Sequence, residues 1–267
     1  MRRTVWALVR ASWLTATSYR LQTVMTVLTL WVTVVPVYFL ATALQPTMAA
    51  AIQDEGRSYF PFMLTGVIAI SLVSVCVTAV PSAVQSGIGS GFLESLLATR
   101  APRSALVVGL GAYPIAWGVL RAVLMLAAGV ALGARWHLAG IPLAAAIAVL
   151  VVVVHWAIGL VAAAMIVAWR TAGPLTTAVV VASTLLGGAY YPTQVIPSWI
   201  QRLSAIVPLQ YGLRAFRQVL FGGANLADVS GDVGALLAFA VAFTAIGYGA
   251  LLLSLQYARR RGSLSHF

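Results

Sequence analysis

Apolar residues fall in six long blocks along this chain, roughly 21–45, 59–84, 105–132, 141–168, 172–189 and 233–257. Each is long enough to cross a bilayer, which takes about 20 mostly apolar residues, with the fifth near the lower limit. The polar stretches between them are a loop carrying Asp54 and Glu55, a longer loop over 85–104, turns at 133–140 and around Arg170, and a mixed segment over 187–223. The pattern predicts an all-α fold: one membrane domain, 1–267, built as a polytopic bundle of six transmembrane helices. Before the first block, Trp6, Val9, Trp13 and Ala16 fall on one helical face with Arg3 and Arg10 at its edge. That spacing predicts an interfacial helix over 1–20, aromatic rings inward and guanidinium groups at the headgroups; a plain cytoplasmic lead-in is the alternative.

Composition supports the membrane assignment. The chain of 267 residues is 61% hydrophobic and 8% charged, whereas a soluble domain is about half apolar and about a quarter charged. A net charge of +11 in a soluble protein would suggest nucleic acid. Here the positive-inside rule accounts for it, and no nucleic-acid partner is expected. With both termini inside, the cytoplasmic segments hold Arg2, Arg3, Arg10, Arg20, Arg100, Arg103, Arg170, Arg259, Arg260 and Arg261. The external ones hold Arg57, Arg135, Arg202, Arg214 and Arg217. Ten against five favours cytoplasmic termini.

The chain has no lysine. A G-x-x-x-x-G-K-[ST] phosphate loop needs that residue, so any ATP site of this kind resides on another subunit. The single cysteine, Cys76, permits no intrachain disulfide. His137, His155 and His266 are too far apart in the expected topology to share a metal. There is no G-x-S-x-G elbow, and no acid lies inside an apolar block, so neither hydrolase chemistry nor a carboxylate proton relay is indicated.

The segment over 187–223 reads GGAYYPTQVIPSWIQRLSAIVPLQYGLRAFRQVLFGG. Pro192, Pro197 and Pro208 each lack a backbone donor, and unpaired polar groups in hydrocarbon cost several kcal/mol, so no lipid-exposed span has this form. Yet it is too apolar and aromatic for an ordinary solvated loop. The reading is a broken re-entrant segment of short helices begun by Pro197 and Pro208, packed on protein at the outer membrane edge. Arg214 and Arg217, three apart, are expected to share a helical face and to reach headgroups or Asp228 and Asp232.

These residues also carry a resemblance. Gly-aromatic-aromatic-Pro at 188–192, Ile196-Pro197-x-Trp199, the Pro208-Leu-x-Tyr-x-Leu-x-Ala-x-Arg217 run and Gly222-Gly223 resemble the last external segment of type-2 permeases of ATP-binding cassette exporters. The loop GIGSGFLESLLATRAPRS over 87–104 is similar to the coupling loop of the same family. Phe92, Leu93, Leu96 and Leu97 form an apolar ridge beside Glu94 and Arg100, with Pro102 as its stop. The family places proline directly after the threonine, whereas here Arg100 and Ala101 follow Thr99.

The resemblance implies a subunit of the cytoplasmic membrane that holds no cofactor itself. ATP and magnesium bind soluble ATPase partners, and a second identical or related permease completes the pathway. Phe92, Leu93, Glu94, Leu97 and Arg100 would dock the ATPase. Arg121 in the third block, His155 in the fourth, and Tyr190, Tyr191, Trp199 and Tyr211 are the candidate path or exit-gate residues. For Arg121 the alternative is snorkelling near the outer end of its span; for His155 it is an interhelical hydrogen bond. The aromatic segment suits an amphipathic drug-like or lipid-like cargo, with a polysaccharide or glycolipid as the rival. An ATPase-independent membrane enzyme or assembly factor is the alternative from another class.

Purified alone, the chain is expected to show no ATP hydrolysis above a buffer blank. Turnover in a preparation free of other proteins would contradict the assignment of ATP to a partner.

Overall fold

The computed structural model describes residues 20–52, 58–90 and 103–261. The expected interfacial helix (all but Arg20), the loop acids Asp54 and Glu55, and the docking-loop residues Phe92, Leu93, Glu94, Leu97 and Arg100 lie outside the described residues. Every regular element described is helical: α1 Arg20–Met48, α2 Tyr59–Gly89, α3 Arg103–Ala131, α4 Ile141–Trp169, α5 Gly173–Leu186, α6 Ser198–Ser204, α7 Pro208–Gly222 and α8 Ser230–Arg261, with 3-10 turns at Leu138–Gly140 and Thr193–Val195.

Five helices are long and apolar enough to cross a membrane: α2, all of α4 and much of α1, α3 and α8. Their length lets them satisfy their backbone internally in lipid, and the prolines at 36, 46, 81 and 114 within α1, α2 and α3 are of the kind that membrane helices tolerate. The fifth apolar block gives a helix of 14 residues, about 21 Å long and short of a hydrocarbon core of about 30 Å. The reason lies at its ends. Arg170 leaves α4 in the left-handed region (φ 62°), Pro174 sits in the first turn of α5, and Gly188 breaks the chain at φ 71°.

The helices form an inner pair and an outer set. The apolar windows of α2 and α4 are each 61% buried, against 22% for α1, 28% for α3 and 22% for α8. Helix α4 packs chiefly on α8 and α2, while α3 and α1 lean on α2. Lipid supplies little hydrophobic driving force between helices, so close backbone approach matters. Small residues provide it. A Cβ at Gly159 would lie 2.7 Å from the Cys76 carbonyl oxygen of α2, and one at Gly247 would lie 2.4 Å from the Ala157 carbonyl oxygen. Gly159 thus serves the packing role that small residues in these blocks suggest.

Gly247→Ala is expected to force α8 away from α4 and to destabilise the protein by about 1–3 kcal/mol. Gly249→Ala, where a Cβ meets nothing within 4 Å, is the matched control. Thermal unfolding in one detergent reads the difference; equal midpoints would mean that the contact carries no packing energy.

Candidate functional site

The segment after α5 is folded. Its prolines stand where a missing amide proton does no harm: Pro192 precedes the 3-10 turn, Pro197 is the N-cap of α6, and Pro208 opens α7. Pro197 and Pro208 do begin separate short helices. Gly223 closes α7 in the left-handed region, its amide donating to the Gln218 carbonyl.

Helix α7 lies among α4, α8, α2 and α5. Val219 packs at Gly140, and Gly212 packs against Val151, so α7 runs antiparallel to α4. Its start lies near Val151, ten residues into α4, or about 15 Å along the axis. The 133–140 turn is tied to its other end: the His137 amide donates to the Leu220 carbonyl at 2.8 Å, and Trp136 stacks on Phe221 at 5.5 Å. By contrast α6 is a surface element, with Trp199 66% and Leu203 46% exposed.

At the centre is Arg217, 1% exposed. Its Nε donates to the Thr65 hydroxyl (3.2 Å) and Nη1 to the Gly188 carbonyl (2.8 Å). Its Nη2 donates to the carbonyls of Phe62 (2.9 Å) and Ala189 (3.1 Å). The guanidinium carbon lies 3.5 Å from the centre of the Phe62 ring, a cation–π contact strengthened by the absence of water. Two of the acceptors, the carbonyls of Gly188 and Ala189, are what a chain break leaves behind. Gly188 and Ala189 follow the end of α5, and Phe62 stands in the first turn of α2, next to Thr65. Gly66 permits the approach, because a Cβ there would fall 1.8 Å from the Ala189 carbonyl oxygen. The Tyr59 hydroxyl adds a bond to the Tyr190 carbonyl. Mechanically, the N-terminal end of α2, the turn after α5 and α7 are fastened to one group.

Arg214 and Arg217 therefore part company, against the expectation of a shared polar face. Arg214 reaches Asp232 of α8 as expected, donating through Nε to Oδ2 (2.8 Å) and through Nη2 to Oδ1, a two-pronged contact suited to guanidinium and carboxylate. Arg217 turns inward, toward the carbonyls of Gly188 and Ala189 beyond the end of α5 and toward Phe62 and Thr65 of α2. Asp228 accepts instead from the Asn225 amide at 2.8 Å.

The other expected site residues scatter. The Tyr191 hydroxyl donates to the Leu185 carbonyl and the Tyr211 hydroxyl to the Ala205 carbonyl. Both phenols thus brace their own segment. Tyr211 packs near Phe239 and Arg214, and Tyr190 packs between two parts of the core. His155 is fully buried on α4, one turn beyond Val151. Its Nδ1 lies 2.8 Å from the Val151 carbonyl, inside its own helix, and Nε2 has no hydrogen-bond partner. The expected interhelical bond is absent among the described residues. Arg121 stands apart on α3. Arg217, Thr65 and Phe62 did not figure among the expected site residues, although Arg217 closes the Pro-Leu-x-Tyr-x-Leu-x-Ala-x-Arg run.

The described residues thus form an all-helical bundle with five helices able to cross a membrane and a folded, arginine-anchored segment before the last of them. Residues 3–221 match the ABC-2 type transporter family, and the chain belongs to it. It is also 31% identical over 72 residues to the linearmycin resistance permease protein LnrN of Bacillus subtilis (strain 168), a match covering 27% of this chain and 19% of that protein.

Arg217→Gln is expected to leave the carbonyls at 188 and 189 short of donors and to destabilise the segment over 188–222 by about 2–4 kcal/mol. Limited proteolysis of membranes should then cut within 190–223, where the parent chain resists. Thr65→Val should have a smaller effect, about 1 kcal/mol. Unaltered resistance in Arg217→Gln would refute the anchoring role.

Proposed function

We propose that this chain is the membrane-spanning subunit of an ATP-driven exporter that moves an amphipathic drug-like or lipid-like substrate outward across the cytoplasmic membrane. The observation that carries the reading is the family match across residues 3–221. Members of this family work with ABC ATPase partners and usually form dimers. LnrN, named as a resistance permease, supports export of a toxic compound as the direction.

In this reading α5 with the turn after it makes the sixth crossing, both termini are cytoplasmic, and 187–223 re-enters the outer leaflet. The depth of α7 along α4 and the exposed apolar side chains Trp199, Leu203 and Ile206 support that placement. The loop over 85–104 receives the ATPase through Phe92, Leu93, Glu94, Leu97 and Arg100. The segment with Tyr190, Tyr191, Trp199 and Tyr211 closes the exit, and Arg121 and His155 contribute to the path when the helices move. A second permease subunit faces the first, and ATP and magnesium act only on the partners.

The experiment is capture of the ATPase by the tagged permease, read together with export. Leu97→Asp and Glu94→Arg should each reduce capture at least tenfold, since one misplaced charge in a short apolar interface costs more than about 1.4 kcal/mol. Tyr190→Ala with Tyr191→Ala should lower export and leave capture intact. Full capture by both loop variants would remove the docking assignment. In the same cells, a cysteine at Asn225 should react with a membrane-impermeant reagent and one at Ser263 should not; the reverse would invert the topology.

A further inference from the structure

Among the described residues Arg121 is a charge without a counter-charge. It lies in the α3 span Val108–Ala131, ten residues before the outer end, so about 15 Å inside it, and about 20 Å from Val108. In a hydrocarbon layer of about 30 Å that is the middle third. A charge at this depth requires either escape to an interface or a partner. Escape is blocked at the stem. The side chain is only partly exposed, and Nε is buried without an acceptor; a snorkelling arginine would carry that atom outward.

Among the described residues no carboxylate of the chain supplies the partner. It has five acids. Asp232 is held by Arg214, and Asp228 sits beside it before α8. Asp54 and Glu55 lie in the loop joining α1 to α2, and Glu94 in the loop joining α2 to α3. None belongs to a span interior. Among the described residues Arg121 has no hydrogen bond or ion pair, in contrast to Arg217, whose donors meet carbonyls and a hydroxyl. The surface beside it is apolar: Leu120 and Leu124 are each 43% exposed and Val123 is 54% exposed, and positions 121 and 124 share a helical face. A planar cation with a buried stem, flanked by open apolar side chains at mid-membrane depth, matches one ligand chemistry. That chemistry is a single anionic group joined to an acyl or other apolar tail.

We infer that Arg121 binds the anionic headgroup, phosphate or carboxylate in type, of an amphiphilic cargo during its passage, which makes the substrate class an anionic amphiphile. The inference rests on the transport reading above.

Native mass spectrometry of the purified permease in neutral detergent tests it, with phosphatidylglycerol and phosphatidylcholine of equal chain length supplied together. The parent chain should retain phosphatidylglycerol in preference by about tenfold or more, as expected for charge-assisted hydrogen bonds. Arg121→Gln should lose the preference. Arg121→Lys, which keeps the charge and loses the fork, should hold a reduced one, and it serves as the informative variant if the glutamine form fails to fold. Dodecyl phosphate should displace the bound lipid, and inorganic phosphate at the same concentration should not. A preference unchanged in both variants overturns the site, and displacement by inorganic phosphate alone overturns the amphiphile. In the assembled complex, ATP should deplete bound phosphatidylglycerol; retention would mark a resident lipid and overturn its role as cargo. ATPase capture by the same preparation judges the transport reading separately. Capture without anionic preference sinks only the site, and preference without capture sinks only the transporter.

Discussion

The end of the bundle around α7 depends on how backbone carbonyls are satisfied where a helix ends among packed helices. Between α5 and α7 the chain turns at Gly188 and passes three prolines that donate no amide hydrogen. In a solvated loop water would meet the exposed carbonyls. Among packed helices it does not, and each unmet acceptor carries a penalty of about 1–3 kcal/mol. Arg217 answers several at once, because a guanidinium carries five N–H donors in a fixed plane. A lysine ammonium has three and no fork, so it would leave acceptors unmet. In these contacts the group serves as a donor array, and the Phe62 ring and the carbonyl dipoles stabilise its charge.

That solution has a mechanical consequence. Helix α2 runs for 31 residues, about 46 Å. Its first turn is fixed to Arg217 and thereby to α7, and its far end at Gly89 leads toward the loop that joins it to α3, shorter than the 85–104 expected because residues 85–89 and 103–104 are helical. In the proposed exporter, a push delivered to that loop travels along an inner helix to the segment proposed to close the exit. Fewer flexible joints stand along this route than along any route through α5, which meets the segment at a glycine. The tight crossings of α4 against α2 and α8 keep the rod from tilting independently. The interior pair α2 and α4 thus sets the frame on which the external segment is hung.

Much of this fold was legible because lipid imposes simple demands. The spans of α1, α2, α3, α4 and α8 follow from apolar block length alone, and Pro197 and Pro208 announced the starts of short helices through their missing donors. Arg214 with Asp232 was readable as opposite charges on neighbouring external elements. The extent of α5 was not, since the apolar run over 172–189 continues through Gly187 and Gly188, and composition does not register where a backbone turns. Nor was Arg217. Its acceptors are carbonyl oxygens, which every residue has, so nothing in the sequence at 62, 188 or 189 distinguishes them as partners. Thr65 and Gly66 sit in an apolar block as two small residues among many. His155 fell between these cases: a hydrogen bond was among its expected roles, but the bond it makes is to Val151, four residues earlier in its own helix, and answers a backbone geometry that side-chain types do not encode.

Three arginines show how one side chain yields three outcomes according to what surrounds it. Arg214, near the outer surface, meets a carboxylate and rests by Tyr211, the arrangement of an ordinary two-pronged ion pair. Arg217, a turn away and fully enclosed, is solvated by the protein itself through carbonyls, a hydroxyl and a ring. Arg121 has neither arrangement among the described residues, although its span depth makes the demand for one greatest. A guanidinium is more weakly hydrated than an ammonium and cannot shed its proton in proteins, so Arg121 has no route to neutrality. A buried lysine would relieve the same strain by deprotonating. The chain contains arginine and no lysine, and at Arg121 that choice fixes a permanent positive charge at mid-membrane depth. In the proposed transport cycle the other half of that interaction is the anionic group of the cargo.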